Sequence, residues 1–355
     1  MSGYTLAKTL AKEEKILEAD TRGDVDGAFR LRKTFIYDTL FTGHPEKALV
    51  TFGWLRAKKK DDPTRFGDDL LWEQKLIAAQ LWVFPHVPRA KIEAAIADFE
   101  AEAGAHAIGE RSIAKIRFLW AKHRGDEAEM AKWFQKWLTT RRDWLSDCLA
   151  CDKDSELEEL FDRGDDALGM EKAQPFLNGD LSCEEVPLRT LPLMLVPLLR
   201  LGRPDEAAAL YKRNEPKLRR SRNLIRAFGR HLTYVTLLGN LKAACATFER
   251  HAEFLLTTYD ADERFSFFTA ARLTMKRLGD ERLRLKLPEA SGIAAGEDGM
   301  VAAPEVYAWV DSIARNLATT FDERNGTDAY HRAIERGRRA PGGARRRGRD
   351  GASRT

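Results

Sequence analysis

The stretch Leu198-Leu199-Arg200-Leu201-Gly202-Arg203-Pro204-Asp205-Glu206-Ala207 decides the fold, because it closes one helical run and opens another in a single turn. Glycine supplies the left-handed cap of the outgoing helix, and the polar residues behind it cap its successor. The same punctuation recurs on both sides, at Gly43, Val87-Pro88, Gly125-Asp126, Gly164-Asp165, Gly239-Asn240 and Gly279-Asp280. Counted through Gly202, the steps are 44, 38, 39, 38, 37 and 40 residues. Such an interval fits two helices of about four or five turns joined by short loops.

Between these turns apolar residues fall at helical spacing, as in Leu224, Ile225, Phe228, Leu232 and Val235, and no segment alternates like a strand. Alanine stands five residues after a turn glycine at Ala28, Ala48, Ala207 and Ala244, where a small side chain lets paired helices approach. The pattern predicts an all-α chain, an α-α superhelix of about six to seven antiparallel hairpins. The first helices of the hairpins are expected at 25–42, 68–85, 107–124, 148–163, 184–201, 222–238 and 261–278. A bundle of similar helices would share the lengths but not the recurrence of glycine and alanine together. Around the repeat domain, 23–280, the reading places an N-terminal capping helix in 1–22, a loop at 281–303, C-terminal capping helices at 304–335 and a disordered basic tail at 336–355.

The chain has 43% hydrophobic and 32% charged residues, the balance of a folded protein with a well-solvated surface. Its formal charge of +4 is unevenly placed: from Arg336 onward eight arginines face one acid, so residues 1–335 carry −3. Attraction to nucleic acid would therefore come from the tail, with salt-sensitive, sequence-blind binding. The N-terminal stretch lacks a signal-peptide pattern, and the longest strongly apolar run, Leu191 to Leu199, holds two prolines and is too short to span a bilayer. Four cysteines do not make a secreted disulfide framework, so a reduced, cytoplasmic setting is expected.

The segments Ser146-Asp147-Cys148-Leu149-Ala150-Cys151, Gly179-Asp180-Leu181-Ser182-Cys183-Glu184-Glu185-Val186-Pro187 and Leu195 to Ala207 resemble a family of bacterial tetratricopeptide-repeat-like proteins. The likeness runs from about Gly23 to Asn325-Gly326 and excludes the basic tail. It implies a superhelix and a role in protein interaction. In that family a histidine often stands inside the Cys-x-x-Cys element and another after the Val-Pro step; here those places hold Leu149 and Leu188.

Cys148, Cys151 and Cys183 form the constellation with a metal-binding rationale. The pair opens one predicted first helix and Cys183 opens the next, so stacking brings three sulfurs together in a site suited to structural zinc. A fourth ligand is not evident in the sequence; Glu184, Glu185, Asp147 or water are the candidates to complete the shell. The plainer reading is small apolar packing between repeats. Arg222, Arg226 and Arg230 recur every four residues, and with Arg117 and Arg189 they predict a positive, partner-binding stripe for an acidic peptide or protein; the plainer reading is a solvated face. Most of Trp120, Trp133, Trp137 and Trp144 are expected in the core. No phosphate loop, zinc-protease helix, nucleophile elbow or dinucleotide fingerprint occurs. The expected function is thus a non-enzymatic interaction scaffold, with a nucleic-acid-associated protein as the rival and a metal-assisted enzyme as a third reading.

Overall fold

The structure is a computed structural model that describes residues 4–66, 70–221 and 224–336. Arg222 and residues 337–355 of the basic tail lie outside the described residues. In chain order the helices are α1 (Leu6–Thr21), α2 (Val25–Phe41), α3 (Pro45–Asp61), α4 (Leu71–Ala78), α5 (Arg89–Ala105), α6 (Glu110–Arg124), α7 (Glu127–Thr139), α8 (Leu149–Arg163) and α9 (Asp166–Lys172). They continue with α10 (Gln174–Asn178), α11 (Leu195–Arg200), α12 (Pro204–Leu218), α13 (Ile225–Leu237), α14 (Leu241–Thr257), α15 (Ala261–Leu278), α16 (Ala303–Asn325) and α17 (Ala329–Arg336). The fold is all-α.

The turn residues act as read. Gly43, Gly125, Gly164, Gly202, Gly239 and Gly279 all have positive φ, and Asp126 and Asn240 cap the following helices by accepting the N–H of Glu129 and Ala243. Successive helices pack on one another across these short turns, and α13 also packs along α15. Ala28, Ala48, Ala207 and Ala244 are fully buried at such approaches. Apolar packing is spread along the chain. One cluster centres on Phe29, Ile36 and Leu55, a second on Ile92, Phe99 and Trp120, and a third on Phe118, Phe134 and Trp137; the largest extends from Ala150 to Ile334. No helix among the described residues is long and apolar enough to cross a membrane.

Three expectations are corrected. The helix expected over 184–201 is reduced to a 3-10 turn at Leu191–Met194 followed by α11, because Pro187, Pro192 and Pro197 lack N–H donors and restrict their neighbours. The helix expected over 68–85 breaks after Ala78 and resumes as a 3-10 turn at Leu81–Val83. The 281–303 loop holds two short strands, β1 (Arg282–Leu283) and β2 (Val301–Ala302), paired antiparallel with Arg282 opposite Ala302. Trp144 also departs from the core expectation: it is 57% exposed, whereas Trp120 and Trp137 are buried.

The C-terminal helices do more than cover the last hairpin. Helix α16 lies along α15, and its end reaches back to the first half of the chain. Arg324 Nη1 donates to the carbonyls of Trp82 and Phe84, each at 2.9 Å, and Asn325 Nδ2 donates to the carbonyl of His123 at 3.2 Å. From α17, the Tyr330 hydroxyl donates to Asp262 at 2.7 Å and lies 2.8 Å from His123 Nδ1. Burial pulls the His123 imidazole down to about 4, so it stays neutral at pH 7. Gly125 admits this docking, since a Cβ there would stand 2.5 Å from the Cβ of Ala329.

Candidate metal centre

Cys148 is the N-cap of α8, and its sulfur accepts the N–H of Cys151 at 3.4 Å. One turn later, Cys151 points to the same side, half-buried. Cys183 arrives from the loop after α10, where its N–H donates to the carbonyl of Val186 at 2.9 Å. Cys151 Sγ and Cys183 Sγ are 3.7 Å apart, and all three sulfurs lie within 4.8 Å of one another. Thiolates held about 2.3 Å from one tetrahedral ion stand roughly 3.8 Å apart. The spacing therefore suits a mononuclear centre. Cys245 belongs elsewhere, half-buried against the large apolar cluster.

The three thiols differ in acidity. Burial pushes Cys148 up, but the N–H of Cys151 and the neighbouring thiols together hold it below the usual thiol range. Burial pushes Cys151 well up, against the pull of Arg189, and also raises Cys183. Cys148 thus gives up its proton more readily than Cys151 or Cys183.

Beneath this helix start lies a group that sequence reading missed. Lys75 Nζ donates to Asp147 Oδ1 at 2.7 Å and to the carbonyl of Leu145 at 2.8 Å, and sits 3.6 Å from the Trp72 ring centre. Lys115 Nζ donates to Asp147 Oδ2 at 2.7 Å, to Asp152 Oδ1 at 3.2 Å and to the carbonyl of Cys151 at 3.4 Å. Arg111 holds Asp152 Oδ2 at 2.8 Å, and Arg142 grips both Asp152 and the carbonyl of Asp147. Four cations thereby face two carboxylates. Burial pushes Asp147 up, but Lys115 and Lys75 outweigh it and hold the carboxyl far below its ordinary range.

That grip disposes of Asp147 as a metal ligand. Glu185 is engaged by Arg189 at 3.3 Å, and among the described residues no carboxylate or imidazole joins the sulfur trio. The chemistry available is therefore three-sulfur coordination of a thiophilic ion, with a tetrahedral shell completed from outside these side chains.

The predicted arginine stripe has internal partners. Arg117 makes a two-pronged pair with Glu100 on α5, both contacts at 2.5 Å. Arg189 holds Asp154 at 2.8 Å, Arg230 holds Glu158 at 2.6 Å, and Arg226 bridges Glu158 at 3.2 Å and Asp262. Arg189, Arg226 and Arg230 do converge, on a cavity of about 280 Å³ that Glu158, Asp260 and Glu263 also line. Arg117 stands apart from it. The carboxylates come from α8 and α15, and no local pattern announces them. No protein-family model, curated protein or solved structure matches this chain.

Proposed function

We propose that the protein is a non-enzymatic interaction scaffold of the tetratricopeptide-repeat-like kind, pinned between consecutive repeats by one thiophilic metal ion, zinc in the first instance. The observation that carries this reading is the convergence of Cys148, Cys151 and Cys183 on the scale of a single ion. Two of these sulfurs come from α8 and the third from a loop with little regular structure of its own. A bound ion would cross-link them, as a structural zinc does in small zinc-dependent folds. The 184–190 loop, which follows Cys183 directly, has the most to gain.

Arginines already engaged by carboxylates make a poor docking stripe, because a ligand would have to displace each internal pair. The partner surface is better placed at Trp144 and Leu149, large apolar side chains that are 57% and 48% exposed within four residues of Cys148 in sequence. The deciding experiment is metal analysis of purified protein and of Cys183→Ser. About one zinc per chain, lost in the variant, supports the reading; metal-free protein that takes up no zinc on titration refutes it.

A further inference from the structure

Among the described residues no fourth side chain joins the three sulfurs. Asp147, the carboxylate nearest in sequence, is held by two lysines, and Glu185 is held by Arg189. Cys148 and Cys183 are exposed while Cys151 is half-buried against α8, so the trio is covered from the helix side and open towards solvent. A tetrahedral ion seated there keeps one position for a ligand from outside the chain.

Charge and softness narrow that ligand. Three thiolates and a divalent ion leave one negative charge, and a fourth thiolate would leave two. Beneath the helix start Lys75, Lys115, Arg111 and Arg142 exceed Asp147 and Asp152 by two positive charges, and the positive end of the α8 dipole adds to them. On the loop side Glu184 and Glu185 oppose this, but Glu185 is shared with Arg189. A soft anionic donor matches both the sulfur set and the cationic bed. Leu149, exposed and adjacent to Cys148 in the chain, adds an apolar side chain that suits a thiol better than a hydrated oxyanion.

We propose that the fourth position of the Cys148, Cys151 and Cys183 centre is filled by a thiolate from another molecule. The inference rests on the metal-binding reading above. The thiol gives up its proton to solvent as its sulfur binds the ion and displaces a bound water, with no change of oxidation state.

The test uses full-length protein loaded with cobalt(II), whose visible bands report both sulfur count and geometry. Uptake of one cobalt with sulfur-to-metal charge transfer supports the parent reading; no uptake removes both. Mercaptoethanol is then titrated in. The expected result is a saturable rise in charge-transfer intensity of roughly one third, as three thiolates become four. Four-thiolate intensity before any thiol is added, no change at saturating thiol, or a response to imidazole but not to thiol would each overturn the proposal while leaving the metal site standing. A short peptide with one cysteine between leucines separates two sources of the same chemistry. Saturation at about tenfold lower concentration than mercaptoethanol, abolished in Leu149→Ala, assigns the thiolate to a partner protein, and equal concentrations assign it to a small thiol.

Discussion

Lys115 Nζ stands 2.7 Å from Asp147 Oδ2, which ties the middle of α6 to the residue that precedes Cys148, the first thiol of the trio. The lysine is buried, and its ammonium also meets Asp152 and the carbonyl of Cys151. Burial works against its charge, but Asp147 and Asp152 outweigh that penalty and raise its proton affinity.

Replacing Lys115 by Met should therefore destabilise the protein. Loss of one partner of a buried pair costs roughly 3–5 kcal/mol, and the lower end is expected because Asp147 keeps Lys75 and Asp152 keeps Arg111 and Arg142. Urea unfolding of the metal-free protein measures it. A loss below about 1 kcal/mol, the range of an exposed pair, would contradict the assignment.

Metal affinity should climb steeply with pH. Cys151 and Cys183 hold their protons more tightly than free thiols, whereas Cys148 holds its proton less tightly. Binding must then expel at least two protons per ion, so the affinity gains about a hundredfold or more per pH unit in the neutral range. Competition with a zinc chelator at several pH values gives the slope, and a slope near zero would show that the thiols are not the ligands.

Asp260→Asn should stabilise the protein above neutrality and leave it unchanged in acid. Burial, followed by the charge of Asp262, pushes the Asp260 carboxyl up to about 7. A raised native value means that the stability this group contributes is present below its unfolded value and is lost as pH rises from about 3.8 through 7. Asparagine keeps the cap on the Glu263 N–H but does not ionise. Melting temperatures at pH 5 and pH 8 check this; a gain confined to pH 5 would reverse the sign.

Gly125→Ala should cost more than Gly164→Ala. Both positions have positive φ, and forcing alanine there costs on the order of 1–3 kcal/mol in either case. Open space surrounds a Cβ at 164, while at 125 it meets Ala329 at 2.5 Å and α17 must move. Equal losses, together with unchanged amide exchange in 329–336, would mean that α17 does not dock on this turn.

How far sequence reading reached follows from the range of each signal. Turns, caps and helix periods are set within a few residues, so Gly202, Asp126 and Asn240 could be read directly. The thiol trio was legible because Cys-x-x-Cys is local and Cys183 lies 32 residues beyond Cys151, although it arrives from a loop rather than from a helix start. The cradle was not, since Lys75 and Asp147 meet across 72 residues and Lys115 and Asp147 across 32. For the same reason Arg226 and Arg230 read as a free stripe: Glu158 sits 68 and 72 residues away. Prolines were visible at 187, 192 and 197, but their toll on the 184–201 helix was underweighted against its apolar pattern.

The return of Arg324 and Tyr330 to Trp82, Phe84 and His123 bears on how the chain folds. An open row of repeats nucleates anywhere and frays freely from either end. Contacts spanning 207 to 242 residues remove that freedom at the C-terminus, because the final helices settle only after the α6 region exists to receive them. Loop closure on that scale slows folding more than it alters stability. Kinetically, α16 and α17 dock after the α6 region has formed.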